Sequence, residues 1–260
     1  MRFFDTHAHY DDARFDADRK EILLSLPSKG VELVLNPGSD IDSSRRAVAL
    51  AGEFAHVWAA CGVHPGSADT LDANAADMLS AMLKDKKCVA LGEVGFDYHY
   101  DTPGRDVQKR ALYAQLQLAA AHNVPVIFHD RDAHADSLRA IDDFPGLRGV
   151  FHCFSGSAEM ARELVKKGWY ISFTGVITFP NARRVREAAT AVPRGRVMIE
   201  TDAPYLAPQP WRGARSDSTM LTAVTETLAG IWGVGADEAA EITFQNGVGF
   251  FGIPTGVQGR

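Results

Sequence analysis

The sequence predicts an α/β protein built as a single (β/α)8 TIM barrel, with a metal site at the C-terminal mouth. Apolar runs that suit buried strands alternate with helical stretches, and this pattern occurs eight times without a linker-like stretch in 260 residues. Histidines and carboxylates also follow several of the predicted strands, where barrels carry their chemistry. A doubly wound open sheet is the alternative. We expect the barrel to span residues 1–254, followed by a polar C-terminal tail, residues 255–260.

The predicted strands are short apolar runs bounded by residues that favour turns. In chain order they are residues 3–9, 31–35, 57–61, 88–91, 124–128, 149–151, 169–173 and 196–199. The helices between them carry apolar residues at helical spacing, and Gly30, Asn123 and Gly168 are good C-terminal stops. The predicted helices are residues 19–28, a stretch from a cap at Asp40 or Asp42 to about 54, then 74–83, 106–122, 134–141, 158–167, 182–191, 219–232 and 237–243.

Composition is that of a soluble globular protein, with 46% hydrophobic and 23% charged residues. The N-terminus lacks the apolar core of a signal peptide, and no run approaches the length of a membrane span. We therefore expect a cytoplasmic protein with no membrane contact and no obligate protein partner. Cys61, Cys88 and Cys153 are widely spaced in or beside predicted strands, which favours reduced thiols. The net charge of −6 gives no general attraction for nucleic acid.

The first strand ends in His7 and His9. Because side chains on a strand alternate between faces, the two imidazoles should point the same way and can share one metal ion. Two hydrogen-bonded histidines near a terminus are the alternative. Two ligands do not make a site, so the rest of the chain must supply others.

Six nitrogen and oxygen donors stand at the ends of five predicted strands: His7, His9, Glu93, His129, His152 and Asp202. Any one of them has an ordinary explanation as a loop residue, but on a closed barrel all six would converge on one mouth. A carboxylate such as Glu93 can offer one oxygen to each of two ions about 3.5–4 Å apart. We expect one or two divalent metal ions per chain, Mg, Mn or Zn, since this ligand set does not fix the metal.

Several motifs occur together in order along nearly the whole chain: HAH at 7–9, GVHP at 62–65, GEVGFDYHY at 92–100, PVIFHDRDA at 125–133, HCFSG at 152–156 and ETDAPYL at 200–206. This set resembles the TatD family of metal-dependent deoxyribonucleases, which belongs to the amidohydrolase-type barrels. The resemblance implies that the six donors are metal ligands, with Glu93 at the strand-four position where related barrels carry a carboxylated lysine. It departs at Gly66, where family members usually have another histidine, and in the loop 211–217.

The resemblance implies hydrolysis of DNA phosphodiester bonds by a metal-activated water, as a 3′-to-5′ exonuclease. We assign catalytic roles to Glu93 and Asp202, and Asp202 is the candidate to orient or deprotonate the water. Sequence does not separate its roles as ligand and base. Because no extended basic stripe is visible, a hydrolase of a small phosphoester, amide or lactone is the alternative. A noncatalytic binding protein on the same barrel is a third hypothesis.

Substrate contacts are expected from His64 and Arg131. His64 lies at the end of the third strand and can contact a phosphate or support the metal site; an ordinary loop histidine is the alternative. Arg131 is a cation suited to a phosphate oxygen, whereas an ion pair with Asp132 or Asp136 is equally consistent with the sequence.

Other residues near the predicted mouth have weaker assignments. Asp5 and Glu200 share strand parity with His7 and Asp202, and they can orient ligands from behind. Aromatic side chains in the mouth loops can stack on unpaired bases, with ordinary loop packing as the alternative. They are Tyr98, Phe154, Tyr205 and Trp211, and Asp97 lies beside them in sequence.

Overall fold

Eight parallel strands hydrogen-bond in chain order, from β1 to β8, in a computed structural model that describes residues 1–254. This arrangement confirms the predicted (β/α)8 barrel. The predicted tail, residues 255–260, lies outside the described residues. The strands are β1 Phe3–Asp5, β2 Val31–Pro37, β3 Val57–Cys61, β4 Cys88–Asp97, β5 Val126–Arg131, β6 Gly149–Phe151, β7 Tyr170–Phe173 and β8 Val197–Ile199.

The barrel closes through the residues that follow β1 and β8. The Thr6 amide donates to the Ile199 carbonyl at 3.3 Å, and the His9 amide donates to the Ala203 carbonyl at 2.6 Å. Ala8 and Ala203 form a parallel bridge between the two segments. Closure therefore brings the histidines that follow β1 beside the acidic residues that follow β8.

In residues 1–254, one α-helix lies between each pair of successive strands, and two more follow β8. They are α1 Arg19–Ser25, α2 Ile41–Glu53, α3 Ala73–Met82, α4 Arg105–His122, α5 His134–Asp142, α6 Ala158–Lys166, α7 Arg183–Ala191, α8 Leu221–Trp232 and α9 Ala236–Phe251. Of the two predicted caps for α2, Asp40 is the one observed, because its side chain accepts from the Ser43 amide at 2.7 Å. No helix within residues 1–254 is long and apolar enough to span a bilayer.

Strands β4 and β5 run further than predicted. The sequence places their ends at residues 91 and 128, but the strands continue to Asp97 and Arg131 and pair with each other along this extension. Glycines near the predicted end of β4 suggest a stop, yet Gly95 instead allows the two strands to approach closely. A Cβ atom at Gly95 would lie 1.9 Å from the His129 carbonyl oxygen. The extension fixes Glu93 and His129 on paired strands.

The interior of the barrel is filled by apolar side chains from seven of the strands, and the last helix closes its lower end. The predicted end of α9 at residue 243 is wrong, because the helix continues to Phe251. Its final turns lie under the strand N-termini: Arg148 donates to the Phe250 carbonyl at 3.0 Å. The interior cluster consists of Phe4, Leu35, Ala60, Ala90, Ile127, Val150 and Met198, joined by Phe244, Val248, Phe250, Phe251 and Ile253.

Candidate metal centre

Glu93 is the centre of the cluster at the C-terminal mouth. Its Oε1 atom lies 2.6 Å from His129 Nδ1 and 2.8 Å from His152 Nε2. Its Oε2 atom lies 3.4 Å from His7 Nε2 and 3.6 Å from His9 Nε2. One buried carboxylate therefore faces two separate pairs of imidazoles, one with each oxygen.

Asp202 completes the group on the side of β1. Its Oδ1 atom lies 3.7 Å from His7 Nε2 and 3.5 Å from His9 Nε2, and these two nitrogens are 3.1 Å apart. The Asp202 backbone has a φ of 56°, a region that non-glycine residues seldom adopt, and its amide donates to the His7 carbonyl at 2.9 Å. The structure thus brings together all six residues for which the sequence suggests metal binding.

The imidazoles are held from behind by further carboxylates. Glu200 Oε1 lies 3.3 Å from His152 Nδ1 and accepts from the Cys153 amide at 2.7 Å. Asp97 Oδ2 lies 3.4 Å from His129 Nε2. Such contacts fix the ring orientation and tautomer of a histidine that offers its other nitrogen to a metal.

Asp5 differs from the other buried carboxylates. It accepts from the Thr201 hydroxyl at 2.6 Å and the Thr201 amide at 3.0 Å, and its nearest link to His7 is the backbone amide at 3.4 Å. Burial raises the pKa of Asp5 to about 7. Asp5 therefore joins the ends of β1 and β8, and no contact between its carboxylate and an imidazole ring of the cluster is seen in the described residues.

The ionisation states of the carboxylates and imidazoles follow from their burial and from how closely they lie together. Burial would raise the pKa of Glu93, but the charges and hydrogen bonds of the surrounding imidazoles hold it well below its usual range. Burial lowers the pKa of His7 and brings that of His64 to about 4. Against the effect of burial, Asp202 and Glu93 raise the pKa of His9 to about 9. The centre therefore contains ionised carboxylates, and metal binding would displace protons from imidazoles such as His9.

The donor set fits divalent cations. Three overlapping sets have ligand atoms within 4.8 Å of one another: His7, His9 and Asp202; His7, Glu93 and His152; and His64, Glu93 and His129. Imidazole with carboxylate suits zinc or manganese, and Glu93 belongs to two of the sets. Residues of this cluster, His7, Glu93 and His152 among them, are therefore able to hold a divalent metal.

Comparison of the sequence with known protein families identifies the family of the chain. A sequence model of the family described as "TatD related DNase" matches residues 4–252. The chain belongs to the TatD family. The resemblance seen in the motifs is thereby confirmed over nearly the whole sequence.

The chain is similar to TatD proteins known by sequence and to TatD proteins of known structure. "Uncharacterized metal-dependent hydrolase YabD" of Bacillus subtilis (strain 168) is 36% identical over 254 residues, which cover 96% of this chain and 99% of the relative. The "3'-5' ssDNA/RNA exonuclease TatD" of Cronobacter turicensis is 37% identical over 213 residues, 79% of this chain and 80% of the relative. The crystal structure of YjjV, a TatD homologue from Escherichia coli K12, has 31% identity and a TM-score of 0.91, covering 97% of this chain and 99% of that chain.

A cavity of about 780 Å³ opens over the cluster around Glu93. Both residues predicted to contact substrate, His64 and Arg131, line this cavity. His64 Nε2 lies 3.6 Å from Glu93 Oε1, while His64 Nδ1 accepts from the Gly66 amide at 3.0 Å. Arg131 makes no ion pair within the described residues; of the two partners that the sequence suggested, Asp132 contacts His99 and Asp136 contacts Arg139. Its guanidinium lies 5.1 Å from the centre of the Tyr100 ring.

Of the aromatic side chains that the sequence suggested for this mouth, the structure places only Tyr205 on the cavity. Phe154 is buried, Tyr98 is half-buried with its hydroxyl on Asp136, and Trp211 is not among the described residues that line the cavity. Tyr100 lines the cavity and was missed, although it ends the motif at 92–100. Tyr100 lies three residues beyond β4, and no strand parity is available there to predict its direction.

Proposed function

We propose that this chain is a divalent-metal-dependent exonuclease that removes nucleotides from the 3′ end of single-stranded DNA. The observation that carries the proposal is Glu93, with one oxygen facing His129 and His152 and the other facing His7 and His9. A relative with 37% identity bears the name of a 3′-to-5′ ssDNA/RNA exonuclease, which supports the substrate class. His7, His9, Glu93, His129, His152 and Asp202 would hold the ions.

Divalent cations bound here would polarise a phosphate oxygen and lower the pKa of water. In the hydrolysis, the water oxygen bonds to phosphorus as the bond to the 3′ oxygen breaks, and the 3′ oxygen takes up a proton from solvent. A 5′-mononucleotide is released, and the shortened strand ends in a new 3′-hydroxyl. Asp202 is suited to orient the water and accept its proton, since its side chain is 16% exposed whereas that of Glu93 is 6% exposed. Glu200 and Asp97 keep two imidazoles in fixed orientations.

His64 and Arg131 are suited to bind the substrate phosphate. Burial keeps His64 neutral at pH 7, and its Nδ1 atom accepts from the Gly66 amide, so its proton resides on Nε2. That N–H group is a donor at the floor of the cavity, where a phosphate oxygen would lie. Arg131 adds a full positive charge that no carboxylate in the described residues neutralises.

The test is hydrolysis of a 5′-labelled single-stranded DNA of 20 nucleotides by protein stripped of metal and then reloaded with Mg²⁺, Mn²⁺ or Zn²⁺. We expect a ladder that shortens stepwise from the 3′ end, and turnover at the level of the buffer control for Glu93→Gln. Asp132→Asn is the matched control, because Asp132 is an exposed carboxylate outside the cluster. RNA and duplex DNA are assayed in parallel, with a lactone, a dipeptide and a small phosphoester. Intact DNA together with turnover of one of the small substrates would establish the alternative hydrolase.

A further inference from the structure

Two tyrosine rings are exposed at the rim of the same cavity. Tyr100 is 69% exposed and Tyr205 is 44% exposed, and both line the cavity above the cluster. Tyr100 follows β4, and Tyr205 follows β8. In a ring of eight strands in chain order, these positions lie on opposite sides of the mouth. The proposed mechanism gives neither ring a role.

Tyr205 is held as a fixed platform. Its hydroxyl donates to Asp12 Oδ2 at 3.1 Å, and the Arg14 guanidinium lies 3.9 Å from its ring centre. Asp12 in turn accepts from the Arg14 amide at 2.8 Å. The ring meets the His9 imidazole edge to face, with centres 6.3 Å apart. A group stacked on Tyr205 would therefore lie directly beside the cluster.

Tyr100 has an equivalent arrangement on the other side. The Arg131 guanidinium lies over its ring, and the Tyr100 amide donates to Asp97 Oδ1 at 3.3 Å. Asp97 is the carboxylate that faces His129. Both tyrosines are thus paired with an arginine and linked to an imidazole of the cluster, Tyr205 by its ring contact with His9 and Tyr100 through Asp97 to His129. Unpaired bases stack on aromatic side chains, and arginine adds cation–π contributions to such sites.

The charges around the cavity argue against extended binding of a sugar-phosphate backbone. Its described lining includes six carboxylates but only two guanidinium groups, and Arg46 already lies 3.4 Å from Asp11. Arg131 is the other guanidinium. These carboxylates would repel the phosphates that flank the scissile one. Recognition of the strand must therefore depend on the bases nearest the scissile bond. The six carboxylates are Asp11, Asp12, Glu93, Asp97, Asp130 and Asp202.

We propose that Tyr205 and Tyr100, each with its arginine, are base-stacking subsites that hold the two terminal nucleobases of an unpaired strand on either side of the cluster. This inference rests on the proposed function and adds the footprint of the substrate. A paired end is excluded, because its bases are stacked on their neighbours and cannot reach both rings.

The experiment combines Tyr205→Ala and Tyr100→Ala with substrates that lack bases. Single-stranded thymidine octamers carry either normal residues or abasic tetrahydrofuran residues at the two 3′ positions. We expect each variant to lose about 10-fold or more in kcat/KM on the normal strand, and little on the abasic strand, where there is no base to stack. Tyr205→Phe keeps the ring and should retain most of the wild-type value. Trp211→Ala is the matched control, since Trp211 is 49% exposed but is not among the described residues lining the cavity.

Equal losses on the normal and abasic strands, or no loss on either, would overturn the subsites and leave the nuclease proposal standing. Failure of the wild-type protein to cut any strand would count against the nuclease proposal itself. The subsites are then judged by binding, using fluorescence anisotropy of a labelled octamer with phosphorothioate linkages. Weaker binding by Tyr205→Ala and Tyr100→Ala, but not by Trp211→Ala, supports them, and equal binding by all of these proteins rejects them. Melting temperatures verify that each variant is folded.

Discussion

At the scale of single residues, the centre is built from charges that are costly to bury alone. Glu93 is nearly inaccessible, yet the surrounding imidazoles keep its pKa well below the usual range. The imidazoles of His129 and His152 in turn have raised pKa values, because Asp97, Glu200 and Glu93 stabilise their protonated forms against the effect of burial. The protein thus places alternating acids and bases in one buried group, and a divalent cation can replace the protons that they share.

The carboxylate behind His129 gives a prediction at this scale. We expect Asp97→Asn to weaken divalent metal binding by about 10- to 100-fold, because the oxygen that faces His129 Nε2 is replaced by an NH2 group, which cannot accept its proton, and the ring loses its fixed tautomer. The amide oxygen can still accept from the backbone amides of His99 and Tyr100, so the fold should be retained. Metal affinity is measured by competition with a chromophoric chelator. Asp132→Asn is the control, and unchanged affinity in Asp97→Asn would show that Asp97 does not position the ring.

At the scale of elements, the order of the strands and the position of each donor at the end of a predicted strand carried most of the prediction. Ile127 and His129, and likewise Val150 and His152, lie two residues apart, so an apolar interior residue is followed by a donor at the mouth. Glu93 was also found from its place after a predicted strand. The positions of loop residues such as Tyr100 were not predictable, because their direction depends on tertiary contacts and not on a repeating backbone.

The lengths of elements were less predictable than their order. The predicted end of α9 was wrong because Gly247 and Gly249 weaken the helical pattern in the sequence. In the folded protein, Gly247 lies against β1, and a Cβ atom there would be 2.6 Å from Phe4 Cδ1. Packing against the barrel therefore overrides local helix propensity. The same packing brings the aromatic end of α9 under the barrel.

This packing predicts the effect of Phe251→Ala. Phe251 is buried, with ring centres 5.9 Å from Phe4 and 4.8 Å from Phe250, and removing the ring leaves a cavity at the base of the barrel. We expect a loss of about 3–5 kcal/mol in the free energy of unfolding, measured by urea denaturation. Turnover at temperatures where the variant remains folded should be unchanged, since the mouth is at the other end. Leu24→Ala, at an exposed position, is the control, and a loss below about 1 kcal/mol for Phe251→Ala would contradict the role of α9 as a packed closure.

At the scale of the whole molecule, closure of the barrel turns a scattered set of residues into a site. His7 and Asp202 are far apart in the sequence, yet pairing between the segments after β1 and β8 brings them together. The sequence predicted this meeting because a closed ring of eight strands has only one C-terminal mouth. It did not predict the contact between Asp5 and Thr201 that joins those two segments, because the alignment of β1 with β8 is set only when the ring closes.

The charge of the whole molecule leads to a prediction about salt. The chain has a net charge of −6. Arg131 is the arginine of the cavity lining that makes no ion pair with a carboxylate within the described residues. A bound strand should therefore release few counterions. With one phosphate at the metal centre and one at Arg131, the slope of log kcat/KM against log salt should be about −0.7 to −1.5 on single-stranded DNA. The slope is measured in KCl at constant metal concentration.

Arg131→Ala should make the slope shallower by about 0.7, because one phosphate contact is lost. Arg139→Ala changes an exposed arginine outside the cavity lining and should leave the slope unchanged. A wild-type slope steeper than about −3 would require contacts with several more phosphates, and the short footprint inferred from the two tyrosines would then be wrong.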